Sequence, residues 1–400
     1  MDIKLIKKAE NSEFVAFDKD ILLQITDADY QLNQYVGKHL SVLNTSTNER
    51  FEIAPEIKKY ILTKITYACS GHDYLFFTSA ERTNEDKVDI KLYRYILDDG
   101  RCEHIYTMGA DLREIGVSLE IKIFALDIDH VIIEKTFYQS QEGRQLPAWR
   151  GIGVNEIVLQ DIMAGRTFKI TDSVIAESGI DKMVALGGNN CLIKLGNSMV
   201  GEKFYGGIRK EDAPREIIGI INVKQFISDL ILDMDKVFIE ELDSGTDNVT
   251  FPYVKKDDNW IIYSKFDLND KLETIVFYNF VNKIKKIRIN SNVERISDLS
   301  FAHVINDIPY QIRNEEHSSQ IINMNTQKVE MKLSADINVS YVKNDIIVVQ
   351  HKTSKLPFIS RTVTYIEVYK YPDMLHSILK TKEKYNGCLC NGNDLIILTT

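Results

Sequence analysis

KIFALDIDHVIIE, residues 122–134, reads as two short arms of mostly apolar residues folded back on each other at the polar turn Asp127–His130. Branched and aromatic residues fill both arms while polar residues gather at the turn, which is the pattern of a buried hairpin. The stretch matters because it recurs. The same template appears as EFVAFDKDILLQI from Glu13, TYACSGHDYLFFT from Thr66 and KMVALGGNNCLIKL from Lys182. It continues as VTFPYVKKDDNWIIYS from Val249, LSFAHVINDIPYQI from Leu299, NVSYVKNDIIVVQ from Asn338 and NGCLCNGNDLIILTT from Asn386.

Measured between second strands, the spacing averages roughly 50 residues, a period that belongs to propeller blades and not to short solenoid repeats. Between successive copies there is room for two more strands, and several are legible as hairpins. Examples are HLSVLNTSTNERFEI from His39, IKLYRYILDDGRCEHIYTM from Ile90, EIVLQDIMAGRTFKI from Glu156, LETIVFYNFVNKIKKIRI from Leu272 and TYIEVYKYPDMLHSIL from Thr364. Each repeat is therefore expected to form a four-stranded antiparallel blade, with the template supplying the inner two strands. The expected fold is all-β, a single β-propeller domain over residues 1–400. Seven full blades fit between Glu13 and Lys382, and the N-terminal DIKLIKK is expected to complete the C-terminal pair from Asn386 to Thr400 and close the ring. That gives eight blades, with seven as the alternative. In VKQFISDLILDMDKVFIEELDSG from Val223, Phe226, Leu230 and Ile231 mark one short helical face, with KVFIEEL readable as an edge strand.

The Ile90 hairpin carries a family resemblance. DYLFFTS from Asp73 followed by IKLYRYILDDG, with Tyr93, Arg94, Asp99 and Gly100, resembles a repeat of the low-density-lipoprotein-receptor-like propellers and their bacterial relatives. NWIIYSKFDLND from Asn259 keeps the aromatic strand and loses the Tyr-Arg and Asp-Gly elements. The resemblance implies binding or scaffolding more often than chemistry, and it transfers no catalytic residue. As an outer-strand pair, this hairpin should turn Ile90, Leu92 and Ile96 to one neighbouring blade and Tyr93, Tyr95 and Leu97 to the other.

Composition narrows the function classes. With 44% hydrophobic and 10% aromatic residues the chain can fill a large core. Its formal charge of -9 disfavours a generic nucleic-acid binder, which needs a concentrated basic surface. MDIKLIKKAENSEF lacks the apolar core of a secretory signal, and no segment approaches the ~18 apolar residues of a membrane span, so a cytoplasmic protein is expected. The five cysteines lack paired C-x-x-C spacings and are read as reduced, mostly buried thiols. Cys388 and Cys390 share a strand face but read as core residues in preference to a metal or redox pair.

No cofactor is expected: there is no dinucleotide fingerprint, phosphate loop, G-x-S-x-G elbow or H-E-x-x-H helix. Asp127, Asp129 and His130 are read as a solvated turn in preference to a cation site, because no glycine-rich calcium loop follows. Long loops instead concentrate on one expected face of the ring: DADYQLNQYVG from Asp27, SAERTNEDKV from Ser79, YQSQEGRQLPAWRGIG from Tyr138, GNSMVGEKFYGGIRKEDAPR from Gly196 and HKTSKLPFISRTV from His351. Long connections cost ordering entropy, so their clustering points to a binding surface. They carry the expected ligand-binding residues Tyr30, Tyr35, Trp149, Arg150, Tyr205, Arg209, Phe358 and Arg361. The leading expectation is a non-catalytic scaffold for a protein or peptide partner, with a small-molecule ligand also considered. The alternative is a lyase or hydrolase whose acid and base groups, such as His72, Asp73 and His303, gather at the central channel.

Overall fold

The computed structural model describes residues 3–7, 12–18, 21–27, 29–31, 34–44, 47, 49–57, 59–61, 64–68, 74–111, 119–139, 152–171, 173–196, 216–232, 237–245, 249–267, 269–290, 299, 302–315, 318–334, 338–343, 346–354, 362–370, 374–381, 385–391 and 394–399. Small antiparallel sheets, each built mainly from consecutive strands, succeed one another along the chain, which is the architecture of a β-propeller. By its internal contacts the chain divides into two compact units.

The first unit, Asn11–Pro252 with Asp267–Asp270, holds four blades. The first blade orders Glu13–Asp18, Ile21–Thr26, His39–Asn44 and Arg50–Ile53. The second is built on Tyr74–Arg82, Lys87–Ile96 and Cys102–Asp111. The third runs Leu119–Ala125, His130–Gln139, Ile152–Asp161 and Arg166–Lys169, and the fourth Ile180–Gly187, Asn190–Leu195, Ile217–Asn222 and Glu240–Ser244. The second unit, Met1–Glu10, Tyr253–Phe266 and Lys271–Thr400, holds the rest. Its fifth blade is Val254–Asp257, Trp260–Asp267, Leu272–Asn279 and Ile284–Asn290. The sixth is Ala302–Ile305, Ile308–Glu315, Ser318–Asn323 and Val329–Ser334, and the seventh Asn338–Lys343, Ile346–Ser354, Thr362–Lys370 and Met374–Thr381. A final three-stranded sheet joins both chain ends: Tyr385–Asn391 pairs Asp394–Thr399, which Ile3–Lys7 joins in parallel. Seven blades thus carry outer strands, and the sheet made from both chain ends is the eighth in the sequence count.

Period-2 alternation divides each inner strand between two cores. Leu75 and Phe77 pack with Leu23, Ile25, Leu40 and Val42 of the first blade. Phe76, one residue out of phase, packs with Ile121, Ile123 and Val131 of the third. In the same way Ile346 and Val348 join Leu395 and Ile397, whereas Ile347 joins Ile305, Tyr310 and Ile312. The outer hairpin obeys its expected parity: Ile90, Leu92 and Ile96 face the third blade, and Tyr93, Tyr95 and Leu97 the first. The expected helix is Val223–Ile231, capped by the Asn222 side chain accepting from the Gln225 N–H at 3.2 Å, with Val223, Phe226, Ile227 and Leu230 buried. The following stretch supplies the edge strand Glu240–Ser244, so both readings of this segment hold in succession.

The second blade departs from the template. Thr66 and Tyr67, read as the start of its inner strand, instead belong to Lys64–Tyr67, which pairs in parallel with Leu119–Ala125 and extends the third blade. Ala68 continues this pairing by donating to the Ala125 carbonyl at 2.8 Å. Tyr60–Ile61 takes the vacated place beside Tyr74–Arg82, and a short hairpin, Asp29–Gln31 with Gln34–Gly37, adds to it. The hairpin reaches this edge because Gly37 lies where a Cβ would come within 1.8 Å of the Ile25 side chain.

Arg94 shows how adjacent blades are locked. The residue is 6% exposed, and it donates from Nη1 to Asp129 Oδ1 at 2.7 Å and to the Ile128 carbonyl at 2.8 Å, and from Nη2 to Glu103 at 2.5 Å. A planar guanidinium satisfies these acceptors together, which an ammonium cannot. Arg94→Ala should therefore lower the unfolding free energy by about 1–3 kcal/mol. Arg94→Lys should recover less than half of the loss in urea titrations.

Candidate functional site

Two groups of ionisable side chains stand out in the first unit. One is buried between the inner strands of the third and fourth blades. Lys122 and Glu134 are register partners across the Asp127–His130 turn, on the strand face that Phe124 and Ile132 share. Their charges are 3.6 Å apart and both residues are at least 97% buried. Glu134 accepts from the backbone N–H of Ile180 at 2.7 Å and from the Thr136 hydroxyl at 3.1 Å. Lys122 donates to the Ile180 carbonyl at 3.3 Å and lies 3.8 Å from Glu120. Nearby, the buried Lys194 donates to Asp181 at 2.7 Å. Burial pushes the Glu134 carboxyl above its ordinary range, against the pull of Lys122. Burial also works against the Lys122 ammonium, but Glu134, Glu120 and Asp181 outweigh it and hold the lysine pKa high.

The second group is partly exposed, at the turn of the third blade. The Asp127 carboxylate accepts from the backbone N–H groups of Asp129 and His130, each at 2.8 Å, closing the turn. It also meets Nδ1 of the His130 ring at 2.9 Å. A carboxylate on Nδ1 fixes the ring orientation and assigns the proton to that nitrogen, directing Nε2 away from the pair. The hydrogen bond to Asp127 raises the His130 pKa above its ordinary 6.5, with Asp161 and Asp129 adding to the shift. Burial pushes the Asp127 carboxyl up, but the bonds from His130 and the two backbone amides more than offset it, so its pKa is lowered.

Of the expected binding residues, Tyr30 and Tyr35 are among those the structure describes. Tyr30 and Tyr35, expected in a long loop, are instead opposite one another in the ladder of the short hairpin, because the segment pairs with itself and with Tyr60–Ile61. Trp149, Arg150, Tyr205, Arg209, Phe358 and Arg361 lie outside the described residues, as do His72 and Asp73. His303 is buried, with Nδ1 3.6 Å from Asp257, whose carboxylate accepts from the Val304 N–H at 2.9 Å. The buried pair had a signal in KIFALDIDHVIIE: its first and last residues are oppositely charged and the turn length sets them opposite each other. No group of three or more His, Cys, Asp or Glu fit to hold a metal occurs among the described residues. Among the same residues no helix is long and apolar enough to cross a membrane. Cys102, Cys191 and Cys388 are free thiols, and burial, with Glu56 and Glu103, pushes Cys102 up to about 11.

No family model matches the chain, and no curated protein does. Among solved structures it is similar to dipeptidyl peptidase 4 of Porphyromonas gingivalis, with a TM-score of 0.54 and 9% identity over 92% of this chain and 53% of that one. It also matches the acylaminoacyl peptidase of Pyrococcus horikoshii, with a TM-score of 0.42 and 10% identity over 93% of this chain and 51% of that one. A third match is the β-propeller domain of the trilobed protease from Pyrococcus furiosus, at 0.43 and 10% identity over 92% and 98%. The chain spans about half the length of the first two. The expectation of a non-catalytic scaffold for a protein or peptide partner is corrected here. The match with a TM-score above 0.5 is to a peptidase, so it does not bear out the scaffold reading, and at 9% identity it shows the fold alone.

Two outcomes follow from the geometry. Glu134→Ala should cost roughly 3–5 kcal/mol, because it strands the Lys122 charge, whereas Lys122→Met combined with Glu134→Leu should cost clearly less in the same denaturation series. In the NMR titration, His130 should change charge above its ordinary 6.5 and fall back toward that value in Asp127→Asn. For stability the signs oppose: the raised His130 contributes fully below 6.5 and is lost as pH climbs through its folded pKa, and the lowered Asp127 contributes above 3.8 and is lost as pH falls through its own. The pair therefore stabilises most between these two ordinary values.

Proposed function

We propose that this chain is a hydrolase-related propeller acting on peptide-like amide bonds, with His130 as its acid–base group and Asp127 as the residue that positions it. The observation that carries this reading is the likeness over 92% of the chain to a dipeptidyl peptidase. The His130–Asp127 pair supports it chemically, being a partly exposed imidazole oriented by a carboxylate on its other nitrogen. In this reading the nucleophile is a water activated by His130. Neutral Nε2 takes a proton from the attacking water, and the imidazolium returns it to the departing amine as the C–N bond breaks. The Asp127 carboxylate, which raises the His130 pKa, stabilises the imidazolium formed in the first half of that cycle. A cytoplasmic location fits the free thiols of Cys102, Cys191 and Cys388.

The test is hydrolysis of a pool of internally quenched peptides by the purified chain between about pH 5 and 9. Turnover should appear and should fall by about 100-fold or more in a folded His130→Gln variant, within the range ascribed to general acid–base catalysis. A folded wild-type protein that cleaves nothing in the pool would sink the proposal, and undiminished turnover in the variant would remove His130 from it.

A further inference from the structure

The outer edge of the fifth blade carries an exposed apolar and basic surface. Ile284–Asn290, IKKIRIN, is the last strand of its sheet and, among the described residues, pairs only with Leu272–Asn279. Three of its isoleucines are largely exposed, Ile284 at 46%, Ile287 at 55% and Ile289 at 62%, and Val281 in the preceding turn is 65% exposed. Lys283, Lys285, Lys286 and Arg288 lie among them, and residues 280–290 contain no carboxylate, in a chain of net charge -9.

The strand's two faces are used differently. Lys286 donates to Asn325 Oδ1 at 2.7 Å and stands 5.5 Å over the Trp260 ring, and Arg288 Nη1 lies 3.6 Å from Met324 Sδ. That face is held against the sixth blade. Alternation places Lys285, Ile287 and Ile289 on the other face, where both isoleucines stay exposed.

We propose that this edge takes an extended acidic segment of a partner protein as an added β-strand. An edge strand presents unpaired backbone groups in the spacing a further strand requires, so main-chain hydrogen bonds supply affinity. The apolar residues of an alternating incoming strand would cover Ile287 and Ile289, and its acidic residues, on the opposite face, would lie toward Lys286 and Arg288. Charge decides against a second copy through the same edge, because it would set four cations against four. The regular two-residue alternation of a paired strand favours a protein segment over an anionic lipid surface, which has no backbone to offer the edge.

The experiment uses the full chain and a fluorescent, end-capped octapeptide alternating glutamate and valine, read by anisotropy. Saturable binding is expected, weakening roughly tenfold or more as salt rises from about 50 to about 500 mM. It should weaken to a similar degree in Ile287→Ser/Ile289→Ser, whose exposed positions leave the fold intact, and vanish when alternate peptide nitrogens are methylated. Equal binding of a lysine–valine octapeptide, unchanged binding by the double variant, or binding to phosphatidylserine vesicles without binding the peptide would each overturn the assignment.

Discussion

Several buried polar groups at the blade boundaries find their partners on the neighbouring blade. This dependence recurs in both units. In the first, Arg94 of the second blade reaches the turn of the third, and Glu134 of the third accepts from the Ile180 amide that begins the fourth. Glu216, 1% exposed, accepts from the Thr250 hydroxyl and the Phe251 amide at 2.7 Å each. In the second unit, Asp307 accepts from Trp260 Nε1 at 2.6 Å and Asn279 Nδ2 at 3.1 Å, joining the fifth and sixth blades. An unpaired buried acceptor costs about 1–3 kcal/mol, so each of these contacts holds its two sheets together more firmly than its small area suggests.

Turn chemistry makes these contacts possible. Asn306 and Asp307 both adopt left-handed backbone angles, 49° and 63°, as a two-residue hairpin requires, and that geometry presents the Asp307 carboxylate to the preceding blade. In the third blade Asp127 closes the turn while Asp129 receives Arg94. His130 follows directly, so its orientation is inherited from a turn already rigidified on both sides. The Tyr-Arg and Asp-Gly elements of the second blade have architectural duties in the same sense. Tyr93 stacks on Phe77 at 5.3 Å, Arg94 locks the next blade, and Gly100 supplies the φ of +69° that its hairpin needs.

What the sequence made legible was local. Two strands and their turn lie within one window, so alternation alone assigned Ile90, Leu92 and Ile96 to one core and Tyr93, Tyr95 and Leu97 to the other. The helix after the fourth blade's third strand was readable for the same reason. The strand expected from Thr66 differs from the observed Lys64–Tyr67 pairing because the parallel partner, Leu119–Ala125, lies more than 50 residues on and leaves no trace in the strand's own alternation. Lys122 and Glu134 were passed over because the group that joins them to the fourth blade is the Ile180 backbone, which has no side-chain signature. Loop length drew attention to Trp149, Arg150 and their counterparts, yet it measures only where chain is spent. It says nothing about chemistry.

Apolar packing and polar contacts also divide the work of specifying the fold. The described blade boundaries are built mainly from Ile, Val and Leu, most with an aromatic residue, as in the clusters built on Phe76, Phe124, Trp260 and Tyr310. Such surfaces tolerate sliding, because burial is non-directional and nearly the same at neighbouring offsets. A hydrogen bond tolerates far less, since it weakens steeply with distance and angle. The Glu134 carboxylate meets the Ile180 amide at one offset of the third blade against the fourth, and Asp257 meets the Val304 amide at one offset of the fifth against the sixth. Hydrophobic burial therefore supplies the cohesion between blades, while the charged side chains at their boundaries fix the register. The position of His130 relative to the second blade rests on that register through Arg94 and Asp129.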